Sequence, residues 1–498
     1  MLREALHGMG NVGKSHLPMG HAHRNRTNPR VESGMPASLF PNRTATSAQE
    51  QRVTTTRHQP TTPVVESQPR RGEDRTTGTP PVAGVPEHDE RAARAVPAEA
   101  RSVLIILILC DEWFPGKGGI SSFNRYLCRA LAAAGHRVLC LVPSATPVEE
   151  GDAEANGVRL ITARQQGGVT DSEALMRKPD LPDGVVPDVV IGHARITGPA
   201  ARVLVESCYP TARRLHFVHM HPDQIVWGKP DREDDAALTS EERTRQERDL
   251  CVGAARTIAV GPKLHDYALS KLTYSLRVPN AVQIVPGFDD VDVRRPSRDG
   301  TPIVTVVGRV ADAYNKGVDL AAMAIGHSIL RLNVPEHRLD FLVRGVPAGE
   351  GDDMRGWILK WSGVPGLTVS MRNYASNPQD VIDDLDMTSL LLMPSREEGF
   401  GLSAWEAMRL GIAARVSARS GCGWLLSAAL PDDLARNVVL PVHKDDARDV
   451  ELWASHINAV MMNPQAAFDT AWKVRNVLAE RYTWADAVKV VETALQPG

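Results

Sequence analysis

The pattern of apolar and polar positions changes abruptly near residue 101. Before it, Thr, Arg, Ser, Gln and Pro follow one another with no helical or strand period, and Phe40 is the one aromatic residue. Such a stretch cannot bury enough apolar surface to offset the entropy of ordering, so residues 1–100 are expected to form a disordered tail. After Arg101 the run Val103-Leu-Ile-Ile-Leu-Ile-Leu-Cys110 reads as a strand buried on both faces, as a central parallel strand is. The Gly-rich loop Phe114-Pro-Gly-Lys-Gly-Gly119 follows, then a helix with Phe123, Leu127, Ala130, Leu131 and Ala134 on one face, ended by Gly135. A strand over 138–142 completes a β-loop-α-β unit. Further apolar runs at 185–191, 215–218 and 257–260 extend it into a doubly wound domain over 101–287.

The segment from Val285-Pro-Gly-Phe-Asp289 to Gly300 is dense in turn formers and charge, and residues 288–300 read as a linker. A second series then predicts strands at 303–307, 339–343, 367–370, 389–393 and 413–416, with helices at 318–332, 378–385 and 402–410. The fold class is therefore α/β, with two Rossmann-like domains facing a central cleft. The second domain spans 301–475, and the helical pattern of 464–495 places a closing helix in 476–498.

Charge and composition narrow the function. Lys plus Arg number 57 against 60 Asp plus Glu, a net charge of -3. The tail holds 13 of the basic and 10 of the acidic residues, which leaves 44 and 50, or -6, for the rest of the chain. No basic excess of the kind that nucleic-acid binding needs is present. The apolar run at Val103 covers eight residues where a membrane span needs about 20. Six cysteines, Cys110, Cys128, Cys140, Cys208, Cys251 and Cys422, form no C-x-x-C pair, which fits a reducing cytoplasm rather than a disulfide framework or zinc ribbon.

The strongest local chemistry lies in Pro394-Ser-Arg-Glu-Glu-Gly-Phe-Gly-Leu-Ser-Ala-Trp-Glu-Ala-Met-Arg-Leu-Gly411, a strand running into a glycine-bearing loop and a helix. Seven residues separate Glu398 from Glu406, so one carboxylate sits on the loop and the other about one turn into the helix. The amides of Gly399, Phe400, Gly401 and Leu402 at that helix start suit a phosphate, and the carboxylates suit sugar hydroxyls. Alone, the pair reads more commonly as helix N-terminal acids favoured by the macrodipole. Gly308-Arg309 follows a strand, and Lys316-Gly317 comes seven residues after Arg309, which puts two cations at the same sheet edge. An arginine fork and a lysine point charge suit a departing diphosphate, although either residue alone is ordinary surface.

At this point the chain resembles the retaining glycosyltransferases of family 4 with the GT-B fold, the group containing phosphatidylinositol mannosyltransferases and the first glycosyltransferase of mycothiol synthesis. The resemblance runs from about Ser102 to Trp484. It is carried by Pro115-Gly-Lys-Gly-Gly-Ile-Ser-Ser-Phe123, Asp188-Val-Val-Ile-Gly-His193, Val218-His-Met-His221, Val285-Pro-Gly-Phe-Asp289, Val307-Gly-Arg309 with Lys316-Gly317, Glu398-Gly-Phe-Gly with Glu406-Ala-Met, and Tyr482-Thr-Trp484. It implies a metal-independent transfer, without cofactor, from a nucleoside-diphosphate sugar to a small-molecule, lipid or glycan acceptor bound by the first domain. Gly118 and Gly119 would approach the donor phosphate and the acceptor, and His221 would lie beside the donor sugar. Arg309 and Lys316 would clamp the diphosphate, Glu398 would hold sugar hydroxyls, and Glu406 the ribose. The closing helix would cross back to the first domain. Two departures are the sequence Gly411-Ile-Ala-Ala-Arg415 after the E-x7-E helix and the loop Ser420-Gly-Cys-Gly-Trp424.

Other readings compete for some of these residues. His219 and His221 at i and i+2 on a strand would suit a metal, but no H-E-x-x-H or C-x-x-C accompanies them, and His219 reads as a hydrogen-bonded core residue. Asp290-Val-Asp292 and Asp384-Leu-Asp386 fit a metal-binding D-x-D string and read better as solvated acids. Arg125 and Arg129 beside Phe123 and Tyr126 offer a weak peripheral membrane contact, although a core helix explains them better. Gly8-Met-Gly-Asn-Val-Gly-Lys-Ser15 satisfies G-x-x-x-x-G-K-[ST], and residues 7–26 resemble the P-loop of STAND-type signalling ATPases. No strand precedes it and Pro18 follows, so it reads as an isolated fragment. A non-catalytic sugar-nucleotide-binding or P-loop regulatory protein is the alternative function.

Overall fold

In a computed structural model of the chain, the described residues are 103–116, 118–222, 236–274, 280–288, 300–332, 339–375, 377–443 and 446–496. The expected tail with its P-loop string lies outside them, as do residues 289–299 of the expected linker, including Asp290-Val-Asp292.

Seven parallel strands form the first sheet: β1 (Ile105–Leu109), β2 (Arg137–Val142), β3 (Val158–Thr162), β4 (Val189–His193), β5 (Arg213–Val218), β6 (Arg256–Val260) and β7 (Val282–Ile284), in the order β3-β2-β1-β4-β5-β6-β7. Leu107 of β1 pairs with Leu139 on one side and Val190 on the other, so the most apolar run is central, and it is fully buried from Ile106 to Cys110. Six parallel strands form the second sheet: β8 (Ile303–Val307), β9 (Asp340–Val346), β10 (Thr368–Asn373), β11 (Leu390–Met393), β12 (Ala414–Ser417) and β13 (Val439–Leu440), in the order β10-β9-β8-β11-β12-β13. Both sheets reverse strand order beside their first strand, the position at which open α/β sheets bind ligands outside their carboxyl ends.

The sequence pattern misses β3, β7 and β13. In β3, VRLIT is interrupted by the exposed Arg159 and Thr162, while β7 and β13 have only three and two residues, so none shows the continuous apolar run of a central strand. The strand expected at 185–191 starts instead at Val189. Pro187 lacks an amide hydrogen, and the Asp188 carboxylate accepts from the Ile105 amide (2.8 Å), which pins the start of β4 against β1.

Four helices matter most for the cleft: α1 (Gly119–Ala133), α2 (Ala194–Ser207), α3 (Ala236–Cys251) and α4 (Pro262–Tyr267), all from the first series. In the second, α5 (Leu402–Arg409) follows β11 and α6 (Gly421–Ala429) follows β12. The chain ends in α7 (Pro464–Arg481) and α8 (Trp484–Ala494). Thr483 caps α8, its hydroxyl accepting from the Asp486 amide (3.1 Å). Trp484 then stacks on Tyr126 of α1 (centroids 5.8 Å, 22°) and packs against Phe123 (5.7 Å). His136 and Glu492 add a 3.2 Å polar contact between the same regions. One apolar cluster therefore joins Ile106, Phe217, Phe400, Trp405 and Trp484 across both series and the closing helix.

The final crossing depends on a close backbone approach. The Phe288 amide donates to the Tyr482 carbonyl (2.8 Å), and a β-carbon at Gly287 would lie 2.2 Å from the Trp484 amide nitrogen. Gly287→Ala is expected to displace α8 and cost about 1–3 kcal/mol, the range for overpacking. Thermal unfolding checks this: the midpoint should fall, and a wild-type midpoint would contradict it.

Candidate active site

The loops after β1 and β5 face those after β8 and β11 across a cavity of about 1530 Å³. Gly118, Gly119, Gly308, Arg309, Lys316, Glu398, Gly399, Phe400, Gly401, Leu402 and Glu406 all line it. Thus every site residue expected from the sequence except His221 borders one space.

Lys316 ends a short helical turn, Ala313–Lys316, whose backbone is tied to the loop after β11. The Arg396 amide donates to the Asn315 carbonyl (2.8 Å), and Asn315 Nδ2 donates to the Glu397 carbonyl (3.2 Å). That tie places Lys316 Nζ 2.5 Å from Glu398 Oε2, with both side chains about a quarter or less exposed. Arg309 extends from the end of β8 until its guanidinium is 3.7 Å from the place a β-carbon on Gly118 would occupy. An extended side chain at residue 118 would crowd that approach. The result is a short cationic ledge from Arg309 to Lys316, with a carboxylate at one end.

Glu406 sits one turn into α5 and meets α1. It accepts a hydrogen bond from the Ser122 hydroxyl, and Leu402 packs 3.0 Å from the place a β-carbon on Gly119 would occupy. Burial pushes the Glu406 carboxyl above the ordinary range, opposed by the neighbouring Arg409 charge and the Ser122 hydrogen bond. Arg409 donates to the Tyr126 hydroxyl (2.8 Å) and lies 4.8 Å over its ring. Tyr126 also stacks on Trp484, and Arg125 is paired with Asp152 (2.6 Å), so these members of the suggested membrane patch are engaged inside the fold.

His219 is the buried, hydrogen-bonded residue that was expected, and it, not His221, borders the cavity. Strand β5 ends at Val218, and beyond it the alternation of a strand no longer governs side-chain direction. His221 stacks its ring on Tyr267 of α4 (3.8 Å, 32°) and is not part of the cavity wall. His219 lines the cavity instead, packed edge-on to Phe123 (5.2 Å) and hydrogen-bonded through Nε2 to His193 Nδ1 (2.9 Å). Its carbonyl oxygen is 2.4 Å from where a β-carbon on Gly399 would fall, so only glycine lets the donor-side loop meet β5. Among the described residues, no three or more His, Cys, Asp or Glu side chains gather into a metal-holding group.

Several contributors leave no trace in sequence spacing. Lys263, on α4 of the first series and only 5% exposed at its side chain, donates to Glu397 Oε2 (2.8 Å) and to the Glu398 carbonyl (3.3 Å). Arg419 donates from Nε to the other Glu397 oxygen (3.0 Å). The Cys422 amide donates to the Phe400 carbonyl (2.7 Å), so the unusual Ser420-Gly-Cys-Gly turn supports the loop after β11 from behind. Arg415, the other departure, turns away from the cleft: its Nε donates to His456 Nδ1 (3.2 Å), and burial lowers its pKa to about 10. Asp384, expected to be solvated, is buried, and Arg344 Nε donates to its carboxylate (2.5 Å) because β9 brings that guanidinium beneath the helix Pro378–Asp386. Lys263→Ala removes the buried cation that ties α4 to the donor loop. Small-angle scattering should then show a larger radius of gyration, and an unchanged radius would contradict this role.

Comparison with known proteins gives the family and the fold. Residues 107–491 match the sequence model described as "Family 4 Glycosyltransferase in conflict systems". No curated protein matches the chain. Sucrose-phosphate synthase from Thermosynechococcus elongatus is similar in structure at TM-score 0.59 and 17% identity, covering 78% of this chain and 98% of its own. Anabaena HepE, solved with UDP and glucose, has TM-score 0.56 and 16% identity over 78% of this chain and 99% of its own. A glycosyltransferase from Rickettsia africae has TM-score 0.53 and 13% identity over 80% of this chain and 100% of its own. These likenesses are of fold, the two-domain arrangement called GT-B. With its two switch-point sheets, shared cleft and matched length, the chain belongs to the family 4 glycosyltransferases of conflict systems.

Proposed function

We propose that the cleft binds a nucleoside-diphosphate sugar along the carboxyl edge of the second sheet and transfers its sugar, with retention and without metal, to an acceptor held by the first domain. The observation that carries this reading is the convergence of Arg309, Lys316 and Glu398 on one wall, with Lys316 Nζ 2.5 Å from Glu398 Oε2. An incoming diphosphate competes with Glu398 for Lys316, which frees the carboxylate to accept from sugar hydroxyls. Anabaena HepE was solved with UDP and glucose, and we extend that ligand class, a uridine or related diphosphate with a hexose, to this chain.

In this reading the bond from the anomeric carbon to the diphosphate oxygen breaks while an acceptor oxygen bonds to the same face of that carbon. The acceptor's proton passes to the departing phosphate oxygen. Arg309 and Lys316 stabilise the negative charge developing on the leaving group, which takes the place of a divalent cation. Glu398 and His219 orient the sugar, and Glu406, partly buried against Ser122, takes the ribose. Contact between α4 and the donor loop limits the entry of water that would hydrolyse the donor. The six cysteines are all free thiols in the structure, which supports a reducing compartment such as the cytoplasm. Among the described residues, no helix is long and apolar enough to cross a membrane.

Lys316→Ala and Glu398→Ala should each lower sugar transfer by about 10²-fold or more, the cost of losing one preorganised charged group, with circular dichroism unchanged. The product should keep the anomeric configuration of the donor, read by the proton coupling at the new linkage. Full activity in both variants, or an inverted product, would overturn the reading.

A further inference from the structure

Behind the cavity wall a chain of buried polar groups runs from α1 through β4 to the end of β5. Asn124 Oδ1 lies 3.1 Å from His193 Nε2, and His193 Nδ1 lies 2.9 Å from His219 Nε2. Asn124 and His193 are fully buried and His219 is 9% exposed, so water does not compete for these atoms. Each contact needs one donor and one acceptor, which makes the proton positions interdependent.

The order is set at Asn124. Its Nδ2 donates to Cys140 Sγ (3.5 Å) and its Oδ1 accepts from the Cys128 thiol (3.7 Å), so Oδ1 is the atom turned toward His193. An acceptor there requires hydrogen on His193 Nε2. Burial, with His216 nearby, holds His193 neutral by lowering its pKa to about 3, so its Nδ1 carries no hydrogen and accepts. His219 Nε2 must then donate. Burial, followed by the neighbouring His193 and His216, also pushes His219 well below the usual histidine range. His216, the remaining titratable group at this position, is engaged with Glu247 Oε1 (3.0 Å). The His193 backbone amide donates to Thr197 Oγ1 (2.9 Å) and Thr197 donates to the Leu109 carbonyl (2.9 Å), which fixes the main chain, while Phe123 and Phe217 pack against the ring.

We propose that Asn124 and His193 are positioning residues that hold His219 as the neutral tautomer with hydrogen on Nε2, leaving Nδ1 as a fixed hydrogen-bond acceptor for a substrate hydroxyl. A histidine held this way cannot donate to a phosphate oxygen and is too weak a base to remove a proton. It orients a hydroxyl-bearing group, and the diphosphate is left to Arg309 and Lys316. This assignment rests on the reading of the cavity as the sugar-transfer site, but the proton positions do not depend on transfer.

The experiment is long-range proton–nitrogen correlation of the full chain labelled with ¹⁵N-histidine, from about pH 8 to about pH 5, with no ligand added. Signals are assigned with His219→Phe and His193→Phe, and fold is monitored through His216. His219 is expected to show hydrogen on Nε2 and none on Nδ1 throughout that range. In Asn124→Leu, which keeps the branched side-chain shape but supplies no acceptor, the His219 pattern should shift toward a mixture of tautomers while the His216 signals stay in place. Hydrogen on His219 Nδ1 in the native chain, a doubly protonated ring by pH 5, or an unchanged pattern in Asn124→Leu would overturn the proposal. Because the readout uses no sugar, failure of the donor assignment would appear separately, as a native tautomer pattern in a protein that binds no nucleotide sugar.

Discussion

The approach of the donor-side loop to the end of β5, with Gly399 beneath the His219 carbonyl, is the contact on which the cleft depends. A β-carbon there would fall 2.4 Å from that oxygen, so the two series meet as backbone on backbone with no side chain between. From this point the site is set in both directions. Toward β8, the Asn315–Glu397 and Arg396–Asn315 bonds fix Lys316 against Glu398. Toward α4, Lys263 reaches over the loop to Glu397 and the Glu398 carbonyl. Toward α1, Phe400, Trp405, Phe123 and Trp484 belong to one apolar cluster that the closing helix completes.

Charge is distributed by burial. The groups lining the open cavity, Arg309, Lys316 and Glu398, stand on a wall that is open to solvent. Charges sealed in the domains do structural work: Arg344 with Asp384 joins strand to helix, and Arg415 with His456 braces the back of the second sheet. Removing either Arg344 or Asp384 leaves the other charge uncompensated, which costs more than the pair itself contributes. Glu406 stands between these classes, since its desolvation outweighs the opposing pull of Arg409 and Ser122.

Much of this was legible in the sequence because a central parallel strand writes itself as a near-continuous apolar run, as β1 does over IILIL and β8 over IVTVV, broken only by Thr305. The cation ledge was legible because its members follow strand ends, where the fold places ligands. Of the four edge strands only β10 was legible; β3, β7 and β13 were not, since a strand paired on one side needs neither length nor uninterrupted apolarity. The choice between His219 and His221 was unreadable for a different reason: periodicity predicts direction only while the strand continues, and β5 stops at Val218. Lys263 and Asn124 were hidden because their partners lie 134 and 69 residues away, at Glu397 and His193, and no local spacing encodes such pairs. Asp384 was misread as solvated because a helix-end acid carries no sign of an arginine arriving from a neighbouring strand.

The most direct test of the central claim, that the cleft is a metal-independent nucleotide-sugar site, is thermal unfolding of the full chain with UDP-, GDP- and ADP-sugars in the presence of a chelator, beside ATP with magnesium. A ligand that binds only the folded state raises the midpoint by mass action. The account predicts that one nucleotide sugar raises it without metal and that Lys316→Ala loses the shift. A rise with ATP and magnesium alone would contradict it and would assign the nucleotide to the Gly8–Ser15 string instead.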